Sequence, residues 1–273
     1  MSDLFPTGGL QKKSAEMRLK VLEMIKKARL RHFGGIYSCM DLLVALYYGP
    51  SAFRYRVNDP DWNDRDRLIV GKGHACLGIY AILADVGIIS KSELSTYGVD
   101  GSIYGGQLDF NIPGVETNTG SLGHAIGIAT GLAMAKSYPH MYALVGDGEC
   151  EEGSIWESVM FAAQKEVNNL TVIVDRNRLS VTDFIENDNL EEKFIACGWD
   201  VDTINGHNFD QICDSLEHRY IKQSKPRAII ADTIKGKGVS FMESGIKWHH
   251  SVPTDEEFNL AEEELKQEIA KWQ

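Results

Sequence analysis

The chain has 273 residues, 43% of them apolar, enough for a sizeable core in one large α/β domain or two small ones. With 28 basic against 39 acidic residues it carries a formal charge of −11, which argues against a nucleic-acid or anionic-membrane surface. The five cysteines include no C-x-x-C, residues 1–14 contain no apolar leader, and no run approaches eighteen apolar residues. The expectation is a protein of the reducing cytoplasm without a membrane span.

In chain order, residues 10–32 read as an amphipathic helix, with Leu19, Leu22, Ile25 and Leu30 at helical spacing among many charges. "GGIYS" interrupts it, and Ser38 is a candidate N-cap for the helix "CMDLLVALYY". "DRLIVG" (66–71) reads as a short buried strand followed by a helix through "HACLGIYAILADVG". "SLGHAIGIATGLAMA" (121–135) reads as a buried helix rich in small residues. A strand over Met141 to Val145 enters the acidic, glycine-beaded loop "GDGECEEG", then a helix over 154–166 and a strand over 170–175. Two more strands are predicted at 202–204 and 227–233 with a helix at 209–221 between them, and a capped, highly charged helix begins at Thr254. Alternating apolar strands and helices predict an α/β fold, a parallel sheet with helices on both faces. No linker or repeat divides the chain, so residues 1–273 read as one domain, with residues 1–50 a helical arm packed on it.

The acidic loop is unusual, because glycine-rich loops after strands normally present backbone N–H groups to phosphates, which repel carboxylates. Asn177 lies 30 positions after Asp147 (177 − 147), just past the next apolar strand. A strand–helix–strand crossover takes roughly thirty residues. Both side chains therefore emerge at the carboxyl ends of neighbouring parallel strands, where open α/β sheets place ligands. Taken singly, Asp147 reads as a solvated turn and Asn177 as a turn residue. Together their oxygens make half of a hard-cation site, and Mg²⁺ commonly completes its octahedron with substrate phosphate oxygens. The glycines, Gly146 and Gly148 among them, let the backbone approach the phosphate.

Four segments then carry a resemblance. "GDGE…EEG" followed by "DRN" looks like the thiamine-diphosphate fingerprint, and "GKGHACLGIYAIL", "PGVETNTGSLGHAIGIATGLAMA" and "IKGKGVSFMESGIKWHH" resemble, in order, segments of the transketolase family. The match covers roughly residues 10–255 and resembles the N-terminal subunit of a split transketolase, the diphosphate-type half of the thiamine-diphosphate-binding fold. The resemblance implies Mg²⁺ ligation by Asp147, Asn177 and the Leu179 carbonyl. It implies diphosphate contacts from Gly148 N–H, His74 and His249, and an aminopyrimidine edge lined by Gly120, Ser121 and Leu122. It further implies a substrate-facing His32 and a proton-relay role for Glu152 at an interface between subunits. The implied activity is transfer of a two-carbon ketol unit from a ketose to an aldose. It would be carried out on sugar or sugar-phosphate substrates with a separately encoded C-terminal subunit carrying the pyrimidine-binding domain, most simply as a heterotetramer of two copies each. Nucleic acid and membrane are not expected partners.

The match departs from the family at "GGQLD", where Gln107 replaces a histidine of the substrate site. A carboxamide can hydrogen-bond a sugar hydroxyl but cannot exchange a proton at neutral pH. Arg31 and Tyr37 around "RHFGGIYS", and His124 in "LGHA", are further departures. Two alternatives therefore stand beside ketol transfer: thiamine-dependent carbon transfer on an unusual or activated sugar, and a non-catalytic cofactor-binding scaffold chain.

Overall fold

The sheet forms where the sequence is continuously apolar, as expected for strands covered on both faces. In the computed structural model, which describes residues 7–29, 34–50, 53–135, 140–179, 189–218, 224–243, 248 and 251–272, these runs become β1 (Arg67–Val70), β2 (Met141–Gly146), β3 (Leu170–Arg176) and, after the more polar strand β4 (Asp200–Asn205), β5 (Arg227–Asp232). Among the described residues the sheet has five strands in the order β1-β2-β3-β5-β4, every pairing parallel. β2 and β3 lie side by side with Gly146 opposite Asp175, so the loops that follow them leave the same edge together.

The period-2 alternation of each strand divides the core. Leu68, Val70, Tyr142, Leu144, Ile173, Ile229 and Ala231 face one layer, made by α1 (Thr7–Ala28), α2 (Gly34–Tyr48), α3 (Cys76–Val86), α7 (Phe209–Glu217) and α8 (Asp255–Lys271). Ile69, Ala143, Val145, Val172, Val174, Ala228 and Ile230 face the other, made by α4 (Ala125–Ala135), α5 (Gly153–Gln164) and α6 (Leu190–Ala196). The N-terminal helix buries Leu10, Met17, Val21, Leu22 and Ile25 in the first layer. Gly87, at φ 88°, ends α3 by returning its N–H to the Leu83 carbonyl, and a reciprocal Thr254–Glu257 capping box starts α8. Among the described residues no helix is long and apolar enough to cross a membrane.

The helix boundaries differ from the sequence reading in informative ways. α2 begins at Gly34, so Ser38 lies a turn inside it and is no cap; its hydroxyl donates to Asp175 Oδ2 at 2.7 Å. Every residue of α2 is buried, and that packing outweighs the poor helix propensity of two glycines. α4 begins at Ala125, not 121, because Gly120 and Gly123 take φ of 130° and 90°, outside the helical region. β4 is an edge strand with no fully buried position and so carries little apolar signal beyond 202–204. α6 has no counterpart in the sequence reading because only Leu190 and Phe194 of its seven residues are buried, too few for a pattern. Residues 30–32 of the first predicted helix and 219–221 of the one starting at 209 lie outside the described residues.

Candidate cofactor site at the carboxyl edge of the sheet

The loop after β2 and the turn after β3 are tied together by Asp147. Its carboxylate accepts the Gly148 N–H at 2.9 Å and the Arg178 N–H at 2.5 Å, while its own N–H donates to the Asp175 carbonyl at 3.3 Å. Arg178 takes φ 60°, so the chain turns sharply just after the N–H that meets Asp147. Asn177 Oδ1 accepts the Leu179 N–H at 3.2 Å, and its amide lies 3.4 Å from Asp175 Oδ2. One buried carboxylate, one half-buried carboxamide and the carbonyl of buried Leu179 thus share one strand edge. These are hard oxygen donors, the set Mg²⁺ prefers. Burial, followed by the nearby Asp175 charge, pushes the Asp147 carboxyl up to about 6. A carboxylate so destabilised as an anion is one that a bound cation would relieve. Among the described residues no group of three His, Cys, Asp or Glu is arranged to hold an ion, so a metal here would depend on the amide and backbone oxygens.

Two lysines absent from the sequence reading lie beside these oxygens. The Lys72 ammonium donates to Asp175 Oδ2 and to the Gly35 carbonyl at 2.9 Å; lysine and aspartate are both almost wholly buried. Burial, the largest single influence, would lower the Lys72 pKa, but the Asp175 charge and hydrogen bond together with other neighbouring groups, Asp147 among them, outweigh it and raise the value. For Asp175 burial pushes upward, and Lys72 with the Ser38 and Thr233 hydroxyls outweighs it, leaving the carboxyl below its ordinary range. Lys235 comes from the turn after β5; its ammonium donates to the Leu179 carbonyl at 3.2 Å, and burial together with the Lys72 charge lowers it to about 8. The "KGKG" segment is fixed by Gly236 N–H to the Gly34 carbonyl at 3.2 Å. Its position directly after a strand, at the ligand-binding edge, was the signal that could have found Lys235.

Glu149 is a buried clamp. Its two oxygens accept the Gly123 N–H at 3.0 Å and the Gly146 N–H at 3.3 Å, joining the segment after Leu122 to the segment before Asp147. Gly71 lies so close that a Cβ there would stand 2.2 Å from Glu149 Oε1, so any side chain at that position would push the carboxylate off its two donors. Burial pushes this carboxyl up to about 7. At pH 5, where the raised pKa keeps this carboxyl protonated and no buried charge offsets the loss, Glu149→Gln, which turns an NH₂ toward one of the two N–H donors, is expected to lower unfolding stability by about 1–3 kcal/mol in denaturant titration. An unchanged midpoint would remove the clamp.

The other predicted residues that are described stand on segments near this cluster. His74 is half-buried, its Nε2 packed 3.0 Å from where a Cβ on Gly35 would stand, two positions from Lys72. Gln107 is exposed, and its side chain packs against Gly73 and Gly120 beside the Thr119 hydroxyl. The Tyr80 hydroxyl holds the Gln107 carbonyl from below at 2.7 Å. Ser121 and Leu122 are exposed next to Gly120, while Gly146 and Gly148 flank Asp147. Glu152 is exposed at the start of α5, against Gly123, and its side chain makes no capping bond. Arg31, His32 and His249 lie outside the described residues.

A wholly parallel sheet with helices on both faces and a polar cluster at its carboxyl edge defines a nucleotide- or cofactor-binding α/β protein. The model of the transketolase thiamine-diphosphate-binding domain matches residues 11–271, and the chain belongs to that family as a transketolase-like enzyme chain. It is 38% identical to one subunit of the apulose-4-phosphate transketolase of Phocaeicola vulgatus, over 96% of this chain and 95% of that one. It is 36% identical to one subunit of the 6-deoxy-6-sulfo-D-fructose transketolase of a Clostridium species, over 96% and 98%. The transketolase of Campylobacter jejuni superposes with a TM-score of 0.83 at 29% identity, over 96% of this chain but 47% of that chain. The chain thus spans about half the length of the solved transketolase it matches.

Proposed function

We propose that the chain is the diphosphate-binding half of a two-chain transketolase. It would bind Mg²⁺ and thiamine diphosphate and transfer a two-carbon ketol unit from a ketose to an aldose with a separate pyrimidine-domain subunit. The observation that carries this reading is the convergence of Asp147, Asn177 and the Leu179 carbonyl beside two buried lysines at the edge of β2 and β3. In this reading residues 1–273 form a single diphosphate-binding domain, with residues 1–50 as the helical segment packed on it. The relative from Phocaeicola vulgatus is named as one subunit of its transketolase, which supports a second chain here, most simply in a heterotetramer of two copies each. The five cysteines are all free thiols, in keeping with a cytoplasmic location.

Bound thiamine diphosphate supplies the electron sink for cleavage of the carbon–carbon bond. This chain's own groups hold and orient. Asp147, Asn177 and the Leu179 carbonyl would hold the metal. Gly146, the Gly148 backbone, His74 and the Lys235 ammonium would face the diphosphate, with His249 beside them by resemblance. Gly120, Ser121 and Leu122 would border the aminopyrimidine, and the Glu149 clamp fixes that border against the metal loop. Exposed Glu152 would serve as a relay acid toward a neighbouring subunit, and His32 would face the substrate. Ketol transfer measured with the purified chain alone, without any second chain, would overturn the two-chain reading.

Gln107 favours a substrate outside the usual pentose pair. It lies at the mouth of the site and can donate and accept hydrogen bonds, but it cannot take the proton-transfer role of a histidine. The two relatives are named for apulose 4-phosphate and 6-deoxy-6-sulfo-D-fructose, both modified sugars. The expected result of a kinetic panel on the reconstituted complex is a higher kcat/KM for such sugars than for xylulose 5-phosphate with ribose 5-phosphate. The reverse ranking overturns the substrate reading and leaves the cofactor reading intact.

A further inference from the structure

β5 ends at Asp232, and the last ladder-like bond on that edge is Thr233 N–H to the Arg176 carbonyl at 3.1 Å. The next N–H, that of Ile234, leaves the sheet and needs another acceptor. It finds the imidazole of His207, donating to Nε2 at 2.8 Å. Because Nε2 accepts, the neutral ring carries its proton on Nδ1, which donates to Asp41 Oδ2 at 2.6 Å. The other Asp41 oxygen accepts from Arg18 at 2.8 Å and from the Ser14 hydroxyl, and Arg18 also donates to the Tyr37 carbonyl at 2.8 Å. Gly206 brings the histidine into place: its N–H donates to the Asp232 carbonyl at 2.8 Å, and a Cβ there would stand 2.5 Å from Thr233 Cγ2. A hydrogen-bonded chain therefore runs from α1 and α2 through one ring to one backbone N–H. On either side of that N–H, Thr233 binds Asp175 and Lys235 binds the Leu179 carbonyl.

We infer that His207 is a positioning residue: oriented by Asp41, it tethers the Ile234 N–H and so sets where the Lys235 ammonium meets the Leu179 carbonyl. The link to catalysis rests on the cofactor reading above; the tether itself does not. Sequence patterns assign His207 no role beyond a surface or core position, because its partners lie 166 and 27 positions away. The geometry explains why imidazole serves here. It presents a donor and an acceptor on opposite sides of a rigid ring, at a spacing no shorter polar side chain spans.

Two variants of similar polarity separate the tether from general packing. In His207→Asn the carboxamide reaches Asp41 but stops short of the Ile234 N–H; in His207→Gln the longer side chain brings an oxygen to the Nε2 position. In the full chain without cofactor, amide hydrogen exchange at Ile234 is expected to quicken roughly tenfold in His207→Asn and to stay within about threefold of wild type in His207→Gln, the scale of one net hydrogen bond. In the reconstituted complex the KM for thiamine diphosphate should rise about tenfold in the Asn variant, with kcat changed by less than about threefold, and recover in the Gln variant. Unchanged exchange at Ile234 in His207→Asn, or the same quickening in both variants, overturns the tether. Local quickening with no change in cofactor KM overturns its link to the site. If the wild-type complex takes up no thiamine diphosphate, the cofactor reading fails, and the exchange comparison still decides the tether.

Discussion

Asp147→Asn is expected to weaken uptake of thiamine diphosphate by the assembled complex at least about 100-fold in calorimetry with excess magnesium. Removing residues that merely support a metal ligand already costs roughly 10–100-fold. The asparagine keeps an oxygen that can accept the Arg178 or the Gly148 N–H, so the loop has no reason to collapse. Stability should follow pH. A carboxyl whose folded pKa is raised to about 6 binds its proton more tightly folded than unfolded, so its stabilising effect is present at low pH and is lost as pH rises from about 4 through 6. Above that window the wild-type fold carries a penalty of up to roughly 3 kcal/mol that the amide lacks. The amide also turns its NH₂ toward one of the two N–H donors, which offsets that gain, so without cofactor the variant at pH 8 should melt near the wild-type temperature and fall below it as pH drops through 6 toward 4. Undiminished cofactor uptake would instead favour the scaffold alternative, in which the acidic loop has no metal to hold.

The second large effect is expected at Lys72→Met. Lys72 and Asp175 form a buried pair, and removing one partner of such a pair typically costs about 3–5 kcal/mol because the other charge is left without compensation. Here the stranded carboxylate would keep the Ser38 and Thr233 hydroxyls, both neutral donors. Denaturant titration of the full chain checks the loss directly. A change below about 1 kcal/mol would show that the hydroxyls alone satisfy Asp175. Because Asp175 Oδ2 also lies beside the Asn177 amide, the variant should loosen the turn that presents Asn177 as well.

The backbone plan and the neighbourhood of the two central proposed site residues are legible in the sequence. Apolar runs at 66–71, 141–145, 170–175 and 227–233 become parallel strands because burial on both faces demands continuous apolar sequence, and that demand leaves a local mark. Asp147 and Asn177 can be paired from their separation because one crossover has a nearly fixed length. Helix starts are less legible. Gly34 and Ala125 begin helices for reasons of packing and positive φ that propensity does not carry.

What the sequence determined by itself was therefore the layering of the chain, the strand edge proposed as the ligand site and the placing of Asp147 and Asn177 on that edge. Each follows from periodicity or spacing between near neighbours. Only the tertiary structure decided how the buried charges are matched. Lys72 meets Asp175 across 103 positions, Lys235 meets the Leu179 carbonyl across 56, and His207 meets Asp41 across 166. Such partners are chosen by desolvation, since a polar group sealed from water must find a counterpart wherever the packed layers bring one. That choice leaves no period in the chain to read.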